Sequence, residues 1–166
     1  GDFEYDFLDD VTIEITRYTG DGGNVVIPST INGKKVTSTG YRAFQDCTTI
    51  TNVTIPNTVT NIADYAFAWC ENLISVSISD GVTNIDYNTF LDCPHLISIT
   101  VDPNNKNFSS ENGVLFNKNK SELRLYPAGI SNQKYTIPNS VTKIDRRAFS
   151  CCSNLTSIIL PNSVTH

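Results

Sequence analysis

The side chains best suited to chemistry in this 166-residue sequence are five cysteines and two histidines. A thiol beside an imidazole could act as a nucleophile, and Cys93 and His95 are close in the chain. His166 is the last residue, so no second internal histidine exists to complete a His-based metal site or an acid–base pair. We interpret His95 as a surface residue in the turn that follows Cys93.

The acidic and amide residues of 102–107 are the other stretch that could bind an ion. This segment lacks the alternating oxygen ligands and the central glycine of a calcium loop, so we interpret it as a solvated loop. We therefore predict no metal, no cofactor and no catalytic residues, and a chain that is not an enzyme.

The positions of the cysteines point instead to a repeated architecture. Phe44 and Cys47 recur as Phe67 and Cys70 and then as Phe90 and Cys93, and each step is 23 residues. A fixed period of about 20–30 residues is typical of a solenoid made of short coils. Stacked coils place equivalent residues about 5 Å apart with parallel side chains, which favours a buried column of free thiols over disulfides. Cys152 holds the same repeat position, whereas Cys151 lies outside it and is expected to be partly exposed.

Each coil should contain two short extended segments and one turn. In one period, Leu73, Val76 and Ile78 alternate with serines, which predicts a strand with one apolar side. A second short extended segment ends near Ile85, and residues 87–93 suit a single helical or 3-10 turn. No coil can bury its apolar residues alone, so stacking must cover them. The sequence predicts a right-handed parallel β-solenoid of about five coils.

The chain divides into parts of one domain, residues 1–166. Residues 1–31 are interpreted as an N-terminal cap, residues 32–101 as coils, and residues 135–166 as the resumed and truncated array. Between them, residues 102–134 interrupt the period, and Gly113–Phe116 with Leu123–Tyr126 predict a β-hairpin. We expect this insertion to pack on the flank of the solenoid.

Charge and hydropathy exclude two classes of partner. The net charge of −5 lies mainly in the acidic N-terminal residues, and the rest of the chain is close to neutral with no basic stripe for phosphates. No apolar run approaches the length of about 18 residues that a membrane span needs. We expect neither nucleic-acid binding nor membrane insertion of this segment.

The repeat motifs resemble those of the BspA-type leucine-rich repeat family. They are Val59-Thr60-Asn61-Ile62 with Ala66-Phe67 and Cys70-Glu71-Asn72-Leu73, and Val141-Thr142-Lys143-Ile144 with Ala148-Phe149 and Cys152-Ser153-Asn154-Leu155. The insertion is similar to a recurring element of that family. The resemblance implies leucine-rich-repeat coils and a secreted or cell-surface bacterial protein linked to adhesion and host-protein binding. Signal and anchor would lie outside this chain, and the family carries no common catalytic residues.

Three groups of residues are candidates for a binding surface. The outward positions of the first strand form two rows of polar side chains, although these could merely keep the strand face soluble. Trp69 and Tyr65 are the aromatic candidates, because such residues are favoured at interfaces, although the sequence favours partial burial of Trp69 against the next coil. Lys118, Lys120 and Arg124 predict a positive patch on the insertion, and loops on a rigid scaffold often carry recognition. The two rows are Asn52, Ser75, Ser98 and Ser157, and Thr54, Ser77, Thr100 and Ile159.

The sequence thus favours a non-catalytic binding or adhesion module that recognises a host or matrix protein or a glycan through the repeat face or the insertion. The alternative is a structural spacer in a larger surface protein. End-to-end self-association is also expected to be possible, since the last coil leaves strand groups unpaired near Val164.

Overall fold

The computed structural model describes all 166 residues and contains sixteen β-strands and no helix. The strands are β1 (Phe3–Phe7), β2 (Thr12–Tyr18), β3 (Gly23–Val26), β4 (Thr30–Ile31), β5 (Lys34–Thr39), β6 (Ile50–Ile55), β7 (Asn61–Ile62), β8 (Ser75–Ile78), β9 (Asn84–Ile85), β10 (Ser98–Val101), β11 (Phe108–Glu111), β12 (Val114–Asn117), β13 (Glu122–Leu125), β14 (Lys134–Thr136), β15 (Lys143–Ile144) and β16 (Ser157–Ile159).

Successive coils stack their strands in parallel into two main sheets. The back sheet has the order β1-β2-β5-β7-β9, in which β1 is the antiparallel strand of the cap and β4 pairs with the edge of β5. The front sheet has the order β3-β6-β8-β10. In the front sheet Val53 pairs with Val76, and Val76 pairs with Ile99, so residues 23 apart lie directly beside one another. The predicted parallel solenoid is confirmed.

A file of phenylalanine rings and thiols fills the interior between the sheets. The Phe67 ring stacks between Phe44, at a centroid distance of 4.7 Å, and Phe90, at 5.6 Å. The thiol of Cys70 donates to the Phe44 carbonyl at 3.1 Å, and the Cys93 thiol donates to the Phe67 carbonyl at the same distance. All five cysteines are free, which was predicted for the four of the column, Cys47, Cys70, Cys93 and Cys152.

The turns between the sheets are not helical, so the prediction of helical or 3-10 turns was wrong. In the second coil the amides of Ala66 and Ala68 close turns within the coil, whereas the amides of Phe67 and Trp69 bond to carbonyls of the next coil. Tyr65 and Trp69 are also left-handed, with φ of 57° each. A helix needs consecutive internal hydrogen bonds and negative φ angles. In these turns every second amide donates its hydrogen bond to the neighbouring coil instead.

The insertion contains the predicted hairpin, with Leu115 opposite Leu125 and Phe116 opposite Leu123 in β12 and β13. A third strand, β11, pairs antiparallel with β12 and was not predicted. β13 in turn pairs in parallel with β15, so the insertion lies within the stack. The prediction that it packs on the flank was therefore wrong.

Tyr126 of the insertion takes the repeat position that phenylalanine holds elsewhere. Its amide bonds to the Ala148 carbonyl at 2.8 Å, and the Cys152 thiol lies 3.4 Å from the Tyr126 carbonyl, as in the regular coils. The apolar interior forms two clusters, and the insertion contributes Leu115 to the first and Phe116 to the second. The insertion is thus the joint between two halves of the core.

Tyr126 carries a buried hydroxyl that has no hydrogen-bond partner. Burial raises the pKa of this phenol. Since an unsatisfied buried hydroxyl costs about 1–3 kcal/mol, we expect Tyr126→Phe to stabilise the protein by about 1 kcal/mol in urea unfolding. Tyr135→Phe, at a half-buried ring of the same cluster, is the control and should change stability less. A net loss of stability in Tyr126→Phe would show that the hydroxyl has a partner.

Candidate binding surface

The front sheet presents two rows of mainly polar side chains across four strands. Its inward residues Val53, Val76 and Ile99 are at most 2% exposed, so the alternate residues face solvent. Strand register aligns Asn24, Asn52, Ser75 and Ser98 in one row, and Val26, Thr54, Ser77 and Thr100 in the other.

The side chains of these rows are partly ordered by contacts between coils. Ser75 donates to the Asn52 side-chain oxygen at 2.6 Å, and the hydroxyls of Ser98 and Thr100 lie 3.4 Å apart. Thr54, Ser77 and Thr100 are exposed and line an open groove of about 260 Å³. Asn24 and Val26 were not predicted as members of the rows, because the first coil is longer than the period.

Ser157 does not belong to these rows, and neither does Ile159. Both lie in a separate two-stranded sheet of β14 and β16. The turn between β11 and β12 lies against the free edge of β10, where the Ile99 amide bonds to the Gly113 carbonyl at 2.9 Å. Gly113 has φ of +83°, and a Cβ there would lie 2.8 Å from the Ile97 carbonyl oxygen, so glycine permits this close approach. The prediction of one continuous row through Ser157 was wrong, because the insertion divides the front sheet.

Tyr65 and Trp69 come together on the turn segments, away from the two rows. Their rings are parallel within 2° at a centroid distance of 5.7 Å. Both side chains are half-buried, and Trp69 borders an open groove of about 350 Å³ together with Asp46 and Asp92. The structure therefore places the aromatic candidates on a different surface from the polar rows.

The three cations of the insertion do not form one positive patch. Lys120 pairs with Glu111 at 3.0 Å, and the Lys118 ammonium bonds to the Pro103 carbonyl at 2.7 Å. The Arg124 side chain is only 12% exposed and its Nε donates to Asp145 at 2.6 Å. The interpretation of Arg124 as a surface cation was wrong.

Arg124 instead connects the two halves of the molecule. Its Nη2 donates to the Ile85 carbonyl at the edge of the back sheet. The guanidinium lies over the rings of Tyr87, at 4.7 Å, and Phe108, at 5.3 Å. From Leu123 to Tyr126 this coil has two residues fewer than the regular coil has from Ile62 to Phe67.

The carboxyl groups of Asp145 and Glu122 near Arg124 shift each other's pKa in opposite directions. Burial, together with the neighbouring Glu122, raises the pKa of Asp145 to about 7, although Arg124 opposes this shift. Interaction with the Asp145 carboxyl and with Lys143, whose ammonium lies 3.2 Å from Glu122 Oε1, lowers the pKa of Glu122. The cluster is a structural joint within the fold.

The residues that could have formed a catalytic or metal site are not arranged for it. Cys93 is 2% exposed and its thiol bonds to the backbone, while His95 Nδ1 contacts the Glu71 carbonyl at 2.7 Å. No group of three or more His, Cys, Asp or Glu side chains is placed to hold a metal ion. No helix of a length and hydropathy that could cross a membrane is present.

The cysteines differ in their accessibility, and this difference can be measured. Cys151 is exposed, and its thiol donates to the Asp92 carboxylate at 3.0 Å, which raises the pKa of Cys151. We expect thiol reagents to label Cys151 in the native protein and to leave Cys70 and Cys93 unlabelled, since thiolates react and buried thiols do not. Asp92→Asn should speed the labelling of Cys151, because the variant removes the negative charge that disfavours the thiolate. Rapid native labelling of Cys70 would contradict the buried column.

The chain matches the model of the BspA type leucine-rich repeat region in six copies, over residues 23–123 and 126–166. The predicted repeat resemblance is confirmed, and the six matched copies exceed the expected number of about five coils. A comparison with curated proteins finds no match.

Solved bacterial structures share the fold. A leucine-rich repeat protein of Bacteroides ovatus is 29% identical, with a TM-score of 0.68, and the match covers 99% of this chain and 41% of that one. A leucine-rich repeat protein of T. pallidum is 30% identical, with a TM-score of 0.66, over 96% of this chain and 69% of that one. A leucine-rich repeat protein of Eubacterium ventriosum is 26% identical, with a TM-score of 0.58, and the match covers 95% of this chain and 57% of that one. The chain thus spans about half the length of the Eubacterium and Bacteroides proteins.

Proposed function

The chain belongs to the BspA-type leucine-rich repeat family, and on this basis we propose that it is a non-catalytic binding module of a secreted or cell-surface bacterial protein. The module recognises a host protein or a glycan through its front sheet. The single observation that supports this is the pair of side-chain rows across four parallel strands.

The geometry of the rows suits an extended partner. Adjacent strands lie about 4.8 Å apart, so hydroxyl and amide groups recur at that interval over the sheet. Hydroxyls and amides both donate and accept hydrogen bonds, which allows them to pair with peptide groups or sugar hydroxyls. The eight row residues carry no charge, and Asp102 is the one charged residue that lines the groove beside Thr54, Ser77 and Thr100.

The front sheet is favoured over the insertion as the binding surface. The apolar residues of the insertion are buried in the two core clusters, and Arg124 is buried at the joint. Deleting residues 102–134 would therefore break the stack, and surface substitutions are the usable test.

The test is binding of the intact chain to a panel of immobilised extracellular-matrix proteins and mammalian glycans, measured by biolayer interferometry. We expect saturable binding to one class of probe. The double variant Thr54→Arg/Ser77→Arg should weaken it by about tenfold or more, which corresponds to about 1.4 kcal/mol, because two large cations would occupy the centre of the sheet.

Thr83→Arg is the matched control, since Thr83 is exposed but precedes β9 of the back sheet. It should bind like the parent chain. Absence of saturable binding across the panel would favour the structural spacer, and equal loss in Thr83→Arg would move the binding surface away from the front sheet.

A further inference from the structure

A second surface runs along the turn segments where each coil leaves the back sheet. The two residues that precede the buried Ala43, Ala66, Thr89 and Ala148 are mostly tyrosine or arginine. We name this surface the Tyr–Arg ridge, and its members are Tyr41, Arg42, Tyr65, Tyr87, Arg146 and Arg147. Tyr41 is 58% exposed and Tyr87 is 50% exposed, and all three arginines are exposed.

The first part of the ridge is held by contacts between aromatic rings and a guanidinium. The Tyr41 and Tyr65 rings meet edge to face at 6.0 Å. The Arg42 guanidinium lies 4.9 Å from the Tyr41 ring and 5.7 Å from the Tyr65 ring. Trp69 stacks behind Tyr65, so the rings are fixed before any partner arrives.

The second part continues across the joint. Tyr87 and Arg146 line one shallow groove of about 160 Å³ with Lys143 and with Asp145, whose buried carboxyl is paired with Arg124. Tyr87 rests on the buried guanidinium of Arg124, which fixes its ring. About four strand spacings separate the coils of Tyr41 and Arg146, so the ridge is about 19 Å long.

The arginines of the ridge have no carboxylate partner. The ion pairs of the molecule engage Lys120, Arg124 and Lys143 and none of the ridge arginines. Asp64 lies on the ridge, but its two carboxylate oxygens accept the backbone and side-chain N–H groups of Asn88 at 3.1 Å and 3.2 Å. Asp46 borders the groove beside Trp69. Asp92 lines both that groove and a small cavity with Tyr87 and Arg147, where it accepts a hydrogen bond from the Cys151 thiol and forms no ion pair with Arg147. The ridge therefore offers free guanidinium donors on a chain that is acidic overall.

We propose that the Tyr–Arg ridge is a docking surface for an acidic segment of a partner protein. Tyrosine, tryptophan and arginine dominate the binding energy of protein interfaces, and guanidinium groups bind carboxylates through two parallel hydrogen bonds. Rings that are already packed lose little freedom on binding. A strand rises about 3.3 Å per residue, so about six extended residues would cover the ridge.

This surface is separate from the front-sheet rows, and the proposal stands or fails independently of the proposed function. The probe is a synthetic poly-L-glutamate peptide of about ten residues, long enough to cover the ridge. Calorimetry gives its affinity, and the fluorescence of Trp69, the only tryptophan, reports whether it binds beside Tyr65.

We expect saturable binding with a change in Trp69 emission. Arg42→Gln and the double variant Arg146→Gln/Arg147→Gln should each weaken it by about tenfold. Lys106→Gln/Lys118→Gln removes two exposed cations outside the ridge and should change affinity by less than about twofold. Thermal unfolding of each variant establishes that it is folded.

Three results would overturn the proposal. One is no saturable binding of the glutamate peptide to the parent chain. Another is an equal loss in the lysine control, which would mean general charge attraction. The third is binding of a sulfated oligosaccharide through the same arginines with no binding of the peptide, which would assign the ridge to glycans. Thr54→Arg/Ser77→Arg should bind the peptide no more weakly than the parent chain does.

Discussion

Replacement of Phe67 by alanine should destabilise the protein by about 3–5 kcal/mol, because it opens a cavity in the centre of the solenoid. The ring is fully buried and stacks between Phe44 and Phe90. The Phe67 amide and carbonyl also bond to the next coil, which limits how far the backbone can move to fill the space. Urea unfolding followed by circular dichroism measures the change in free energy.

Tyr41→Ala is the comparison for Phe67→Ala, since Tyr41 is 58% exposed and an exposed site leaves no cavity. Its cost should be below about 1 kcal/mol. If Phe67→Ala lost no more than this, the stacked file of rings would not be the centre of the core.

Substitution of Arg124 by methionine should lower the free energy of unfolding by about 3–5 kcal/mol, because it leaves the Asp145 carboxyl buried without its cation. The two side chains are 12% and 3% exposed, and Arg124 also holds the Ile85 carbonyl across the joint. We expect the two core clusters of the variant to unfold less cooperatively. In hydrogen exchange of Arg124→Met, the amides of β13 and β15 should then exchange faster than those of β6 and β8.

Lys120→Met is the matched control, since it removes the exposed Lys120–Glu111 pair from the same insertion. Exposed pairs contribute about 0–1 kcal/mol, so the control should be nearly neutral. Arg124→Met combined with Asp145→Asn should recover part of the loss, because the unpaired charge is gone. Equal costs for Arg124→Met and Lys120→Met would show that the Arg124 pair is solvated.

The cost of Arg124→Met should also depend on pH, in a direction that the Asp145 carboxyl determines. The pKa of Asp145 is already raised to about 7, and Arg124 is a group that lowers it. Without Arg124 the native state favours protonated Asp145 more strongly. The variant is therefore expected to be closer to the parent at about pH 5, where Asp145 is protonated, than at about pH 8, where it must ionise without a partner. A cost independent of pH would mean that Asp145 does not titrate in this range.

We therefore expect the largest losses of stability on substitution at two kinds of position. The regular coils depend on repeated apolar contacts such as that of Phe67, whereas the joint depends on one polar cluster around Arg124. In stacked repeats each unit is stabilised mainly by its neighbours, so a weak joint would let one half of the stack open without the other.

The two proposed binding surfaces are also distributed unevenly. The front-sheet rows arise directly from the repeat and end where the insertion turn meets β10. The Tyr–Arg ridge follows the turn segments and continues past the joint, because Tyr87 and Arg146 border one groove. Its sequence signal was the pair of residues before each buried Ala or Thr of the turn.

The 23-residue period was sufficient to determine the solenoid, the phenylalanine file, the thiol column and most of the front-sheet rows. The physical reason is that parallel strands in register convert a separation of one period into direct contact. The same residue type therefore occurs at equivalent positions of two successive coils. Such a contact can be predicted from the spacing alone, without the rest of the fold.

Only the tertiary structure decided where the insertion lies and what it does. Its hairpin is a local pattern, but the partner of β13 is β15, and the carboxyl group for Arg124 comes from Asp145 in the next coil. The exclusion of Ser157 from the rows depends on Gly113 meeting β10, a contact outside the period. The conformation of the turns was also not predicted from the sequence, because their amides donate hydrogen bonds alternately to their own coil and to the next coil. These features depend on contacts between segments that are not one period apart, and the packing of the whole chain determines those contacts.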